Sequence, residues 1–116
     1  MDIAAMNTRI TFQKSEVVGQ MCTINIYNPI DVDLKSQQAL AIQVIVKDLK
    51  RQGIDIHLRN FSQDQSQYTN GPVERVLLTD GPDAFPVTVV DGEIFQKDTY
   101  PDYYELLKWS GADHES

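Results

Sequence analysis

One cysteine among 116 residues is the scarcity with the widest consequences in this sequence. A single thiol cannot form an internal disulfide, a thiolate zinc cage or a Cys-x-x-Cys redox couple. Histidine is nearly as scarce: His57 and the near-terminal His114 are the two present, too few for a His-rich metal site. Basic residues are also in deficit, 10 against 17 acidic, which sets the net charge at −7. A protein that binds nucleic acid unaided needs Lys and Arg to displace counterions from phosphate, so that class is disfavoured. No run approaches the roughly 18 consecutive apolar residues of a membrane span. No apolar signal-peptide core is recognisable near the N-terminus. The expectation is a cytoplasmic protein with no membrane association.

What is present suits one globular domain. The hydrophobic share is 41%, ordinary for a folded chain and too high for a disordered one. A chain of this size buries about two-thirds of its unfolded surface.

Residues 1–20 show no sustained period, although Arg9-Ile10-Thr11-Phe12-Gln13 reads as a short strand. Met21 is an alternative start, so this stretch is either an N-terminal extension or an added edge strand. From Cys22 the pattern sharpens, with Cys22, Ile24 and Ile26 alternating onto one face of a strand that Asn28-Pro29 stops. Asp31, Asp33 and Ser36 are candidate caps for a helix running to Gln52. In it Ala41, Ile42, Ile45, Val46 and Leu49 share a face, and Leu40 and Val44 widen the apolar arc. Lys47, Lys50 and Arg51 suit its negative end, and Gly53 its stop.

Ile54 to Arg59 alternates strictly and predicts a second strand with one polar face. A polar linker from Ser62 to Asn70 holds Tyr68 in a helical turn. Pro72 suits a first helical position, with Val73, Val76 and Leu77 as the buried stripe and Gly81-Pro82 as the end. Val87-Thr88-Val89-Val90 and Glu93-Ile94-Phe95-Gln96-Lys97 flank Asp91-Gly92, the signature of a hairpin with a type I′ turn. A last helix starts near Pro101, buries Tyr104, Leu107 and Trp109, and stops at Gly111; the tail after it is expected to be mobile. The order is β-α-β-α-β-β-α, an α/β domain over residues 21–116 in which helices flank a central mixed sheet.

That order, with Phe85-Pro86 just before the hairpin, resembles the thioredoxin fold, in which the corresponding proline is cis. The run Phe85 to Ile94, followed by Tyr100-Pro101, Glu105-Leu106 and Trp109, resembles the ArsD family. Tyr27-Asn28-Pro29, Gly53-Ile54-Asp55-Ile56, Arg59-Asn60, Asn70, Val73 and Gly81 extend the resemblance upstream. It covers residues 21–111. ArsD proteins are small thioredoxin-like members of arsenical-resistance operons, described as arsenic metallochaperones and trans-acting repressors. The resemblance therefore implies a non-enzymatic role in arsenic resistance, either by contacting the ATPase subunit of the arsenite pump or by regulating the operon.

One departure is larger than any match. The family binds trivalent arsenic or antimony through a vicinal cysteine pair and a third cysteine in the loop after the first strand, where soft thiolates suit the ion. Here that loop runs from Asn28 through Asp31 and Asp33 to Ser36, holds no cysteine and is several residues shorter. Cys22 lies at the start of the strand instead, so no metal or cofactor site is carried over. The residues expected to meet a partner are Asn28, Pro29, Phe85 and Pro86, where thioredoxin-like proteins meet ligands.

Other side chains have bland readings. Cys22 reads as a small buried hydrophobe, Asp31 and Asp33 as caps rather than a cation site, and His57 as a solvated strand residue. Tyr100, Tyr103, Tyr104 and Trp109 cannot all reach one core face, so the remainder offers an aromatic contact for a partner. Tyr100 and Tyr103 are therefore added to the candidate contact residues. Three alternatives stand beside the ArsD-like role: an interaction or homodimerisation module with unrelated partners, a repressor that touches DNA directly, and a redox enzyme. The last lacks a resolving thiol, and no nucleophile–base pair supports another enzyme class.

Overall fold

The computed structural model describes residues 22–111. Residues 1–21 and the tail from 112, including the expectations placed on them, lie outside the described residues. Four strands form one mixed sheet: β1 (Ile24–Tyr27), β2 (Ile56–Arg59), β3 (Val87–Val90) and β4 (Glu93–Lys97). Their spatial order is β2-β1-β3-β4. β1 runs parallel to β2, pairing Tyr27 with Arg59, and antiparallel to β3, pairing Tyr27 with Val87. The hairpin closes through Asp91 (φ 51°) and Gly92 (φ 85°), the positive angles that a type I′ turn needs.

Period-two alternation divides the sheet between two cores. On one face Ile24, Ile26, Ile56 and Val90 pack with Ile42, Val46 and Leu49 of α1 (Gln37–Arg51) and Leu106 of α4 (Tyr103–Ser110). On the other, Tyr27, Val87 and Val89 pack with Tyr68 of α2 (Phe61–Thr69), Val73, and Val76 of α3 (Glu74–Thr79). The architecture is the expected thioredoxin-like one, and the Phe85–Pro86 peptide is cis.

Several details differ from the sequence reading. α1 ends at Arg51, with Gln52 as its cap, and Ser36 rather than either aspartate supplies the N-terminal cap by accepting from the Ala39 N–H. Its buried stripe is Ala39, Ile42, Val46 and Leu49. Leu40 and Val44 point outward, 48% and 67% exposed, and Ala41 is exposed too. A stripe needs one residue per turn, and Ala39, not Ala41, opens it, one turn before Ile42.

The polar linker is a full helix, α2, broken by non-helical angles at Asp64. Its composition conceals it, because Tyr68 is its one buried side chain. α3 starts at Glu74, two residues after Pro72, and a short 3₁₀ turn, Pro82–Ala84, follows it. In α4 Leu106 is buried while Tyr104 is 75% exposed. Asp102 and Glu105 form a capping box that sets this phase. Trp109 is half-buried, edge-on to Phe95 with ring centroids 5.4 Å apart.

Candidate partner-contact site at one end of the sheet

Strand register gathers the candidate residues. Tyr27, Arg59, Val87 and Lys97 form one row across the sheet. The next backbone position on each strand is therefore Asn28, Asn60, Pro86 and Asp98, four loop residues at a single end.

Asn28 is the centre of this end and is fully buried. Its backbone N–H donates to the Arg59 carbonyl at 2.9 Å, continuing the parallel ladder by one residue. Its carboxamide donates through Nδ2 to Asn60 Oδ1 at 2.6 Å and accepts through Oδ1 from the Tyr100 hydroxyl. Its carbonyl accepts from the Tyr68 hydroxyl at 2.6 Å, and the same hydroxyl reaches the Arg59 carbonyl at 3.0 Å. Burial raises the phenols of Tyr68 and Tyr100 above their ordinary range, so both stay neutral donors. Asn28 thus holds the first-strand loop in place and has no free polar atom to offer.

Phe85 is buried as well, stacked on Tyr68 at 5.5 Å and 25°, while Tyr27 and Phe61 meet the Tyr68 ring edge-on. Pro86 is buried under the floor of a groove of about 410 Å³ that Ala41, Ile42, Ile45, Tyr100 and Pro101 also line. Pro29 is half-buried at the start of the loop and caps a turn by accepting from the Val32 N–H. Tyr103 stands apart from this knot. Its hydroxyl accepts from Gln52 Nε2 at 2.8 Å, and its ring meets Tyr104 edge-on at 5.4 Å. The structure brings Asn28, Phe85, Pro86 and Tyr100 into one assembly, while Tyr103 belongs to the neighbouring α1–α4 seam. The sequence places Tyr68 in a helical turn and Asn60 in the family resemblance, but neither they nor Asp98 stand among the candidate contact residues. The Asn-Pro strand stop was a signal for a structured loop, but nothing local marks Tyr68 as its anchor.

The lone thiol lies at the other end of the sheet. From Cys22 to Asn28 the chain advances six residues along a strand, roughly 20 Å. Cys22 is half-buried beside the α1 core. Its pKa is raised, first by a hydrogen bond to the Asp91 carboxylate, then by burial and by the Asp91 charge. A thiol so held is a poor thiolate and a poor ligand. Nearby, Asp55 accepts from Thr23 Oγ1 at 2.7 Å and pairs with His57 Nε2 at 2.7 Å, and those bonds hold its carboxyl below the usual range.

Among the described residues no group of three or more His, Cys, Asp or Glu side chains is arranged to hold a metal ion. No described helix is long and apolar enough to cross a membrane. Among the described residues Arg51 pairs with Asp48, Arg59 with Asp64 and Lys97 with Asp80.

The geometry agrees with known proteins. The crystal structure of an arsenical resistance operon trans-acting repressor from Bacteroides vulgatus ATCC 8482 matches with a TM-score of 0.69 and 30% sequence identity, over 84% of this chain and 100% of that one. No curated protein matches. The family described as "Arsenical resistance operon protein ArsD" matches residues 20–116. The chain belongs to the ArsD family.

Proposed function

We propose that this protein serves an arsenic-resistance system by contacting another protein, not by carrying metalloid on thiolates and not by catalysis. The ATPase subunit of the arsenite pump is the partner that the family suggests. The single observation carrying this reading is the separation of the thiol from the first-strand loop. The loop has no cysteine, and Cys22 sits at the opposite end of the sheet with its pKa raised by Asp91. What remains at the loop end is a rigid shape. Asn28 and Phe85 support it from beneath, Pro86 floors the groove, Tyr100 lines it, and the half-buried Pro29 opens the first-strand loop. Tyr103, with the exposed Tyr104, offers a separate aromatic pair on α4.

Two measurements test the proposal together. Calorimetric titration of the full chain with the pump ATPase should give a saturable complex. Arsenite titration of the wild type beside Cys22→Ser should give no stoichiometric binding to either. Failure to bind the ATPase, with no arsenic genes beside its own gene, would sink the partner reading. Stoichiometric arsenite binding abolished by Cys22→Ser would overturn the thiolate-free reading.

A second reading has one observation in its favour: the Bacteroides vulgatus relative is described as a trans-acting repressor. By that analogy the protein would regulate its operon. Net charge of −7 favours doing so through a protein contact instead of through DNA phosphates.

A further inference from the structure

The groove beside Pro86 carries a charge pattern that a general protein contact does not explain. Ala41 and Ile45 of α1 form one wall, and Tyr100 and Pro101 the other. Asp98 and Asp102 stand in the second wall, and no basic side chain among the described residues lines the groove. The Asp102 carboxylate is partly engaged, accepting from the Glu105 N–H at 2.8 Å. Asp98 makes no ion pair among the described residues, whereas Asp48, Asp64 and Asp80 each do.

The placement of Asp98 is specific. Its backbone is left-handed, with φ at 74°, a conformation L side chains adopt at a cost. Its N–H donates to the Ala84 carbonyl at 2.8 Å and to the Pro86 carbonyl at 2.9 Å. Those two bonds fix the Asp98 backbone in the lining of the groove, next to the proline that floors it, and its carboxylate makes no ion pair among the described residues. A volume of about 410 Å³ lies within the range of ligand-sized pockets. It has room for one large apolar side chain and the aliphatic stem of a basic neighbour.

We infer that the groove receives a segment of a partner protein in which an apolar side chain is flanked by lysine or arginine. The apolar group fills the space between Ala41 and Tyr100, and the cation pairs with Asp98. The inference rests on the partner-contact reading and gives the chemistry of the contact. Acidic segments are repelled by the same two carboxylates, which makes the groove selective as well as adhesive.

The probe is the acetylated, amidated pentapeptide Ala-Lys-Leu-Arg-Ala, titrated into the isotope-labelled full chain and followed by amide NMR shifts. Saturating shifts are expected at Ala41, Ile45, Thr99 and Tyr100. They should vanish with a control in which Ser replaces the peptide Leu, and with one in which Glu replaces both basic residues. Asp98→Asn should weaken binding roughly threefold, as an exposed ion pair allows. Ala41→Arg fills the groove and opposes the cation, and should weaken binding by about tenfold. Both sites are exposed, so thermal melts of the two variants should match the wild type.

Absence of those shifts, equal binding of the Glu control, or no effect of Asp98→Asn would overturn the inference. So would concentration-dependent dimerisation that Ala41→Arg abolishes, because the groove would then belong to a second copy. The same variants separate this inference from the reading beneath it. If the pump ATPase binds wild type and variants alike, the groove inference fails and the partner reading stands. If the ATPase binds none of them while the peptide pattern holds, the partner reading fails and the groove inference stands.

Discussion

Tyr68 concentrates more of this fold than any other single side chain. Its ring joins Tyr27, Phe61 and Phe85, and its hydroxyl ties the carbonyls of Asn28 and Arg59 at the ends of two parallel strands. Removing that hydroxyl leaves the Asn28 carbonyl without this donor in a buried place. Tyr68→Phe should therefore cost about 1–3 kcal/mol, read as a lower urea midpoint at unchanged slope. An unchanged midpoint would show that water already serves those carbonyls. The same burial predicts an alkaline limit. Tyr68 and Tyr100 hold their protons above the ordinary value near 10, so above about pH 10 the unfolded chain gives up protons that the folded one keeps. Stability should be intact below that pH and fall as pH rises through it. Urea midpoints at successive pH values should fall less steeply in Tyr100→Phe; an equal fall would exclude Tyr100 as a cause. Thr88 presents the opposite case, since its Oγ1 is buried with no hydrogen-bond partner among the described residues. Thr88→Val keeps the shape and the β-branch, and should raise stability by roughly 1 kcal/mol. A lower melting temperature would mean that the hydroxyl is bonded after all.

At the scale of elements, legibility tracked how strictly the local chemistry restricts the backbone. Asp91-Gly92 revealed the hairpin because few residue pairs accept two positive φ angles in succession. Gly111 ended α4 for the same reason, with φ at 84°. Faces of helices were harder to read. Along α1 the spacing placed Ile42, Val46 and Leu49 on the buried face correctly, but it made the apolar arc too wide, taking in Ala41, Leu40 and Val44, which are exposed, and missing Ala39. α4 misled similarly, because Tyr104 and Leu106 are both apolar and the capping box at Asp102 decides the phase. α2 was hidden by polarity. The site was legible as loops on neighbouring strand ends, but the Asn28–Tyr100–Tyr68 network spans long sequence separations that no local pattern encodes. The α1 assignment is directly testable. Ile42→Ala should cost about 2–4 kcal/mol, whereas Val44→Ala should be neutral or stabilising by up to roughly 0.5 kcal/mol, because alanine is the better helix former. A large loss at Val44 would show that another surface covers that side of α1.

Across the whole molecule, chemistry is segregated between the two ends of one sheet. The thiol, Asp91 and the Asp55–His57 pair occupy one end, and the neutral Asn28 network with the acidic groove occupies the other. This division bears on how an ArsD protein without the family's cysteines could still regulate an operon. Binding to DNA draws its affinity from released counterions, so the logarithm of the association constant falls with the logarithm of salt at about −0.9 per phosphate contacted. Such contacts need a surplus of cations, yet the chain carries 10 basic against 17 acidic residues, and Arg51, Arg59 and Lys97 are each paired with an aspartate. Fluorescence anisotropy with labelled operator DNA should therefore show no specific complex at physiological salt and little salt dependence. Specific repressors reach about 10⁻⁸ M or tighter under those conditions. A complex of that strength, with a slope steeper than about −4, would require several phosphate contacts and would return DNA to the list of direct partners. Without it, regulation through a protein contact remains the reading proposed above, and the groove between α1 and Asp98 is the surface that the peptide titration tests.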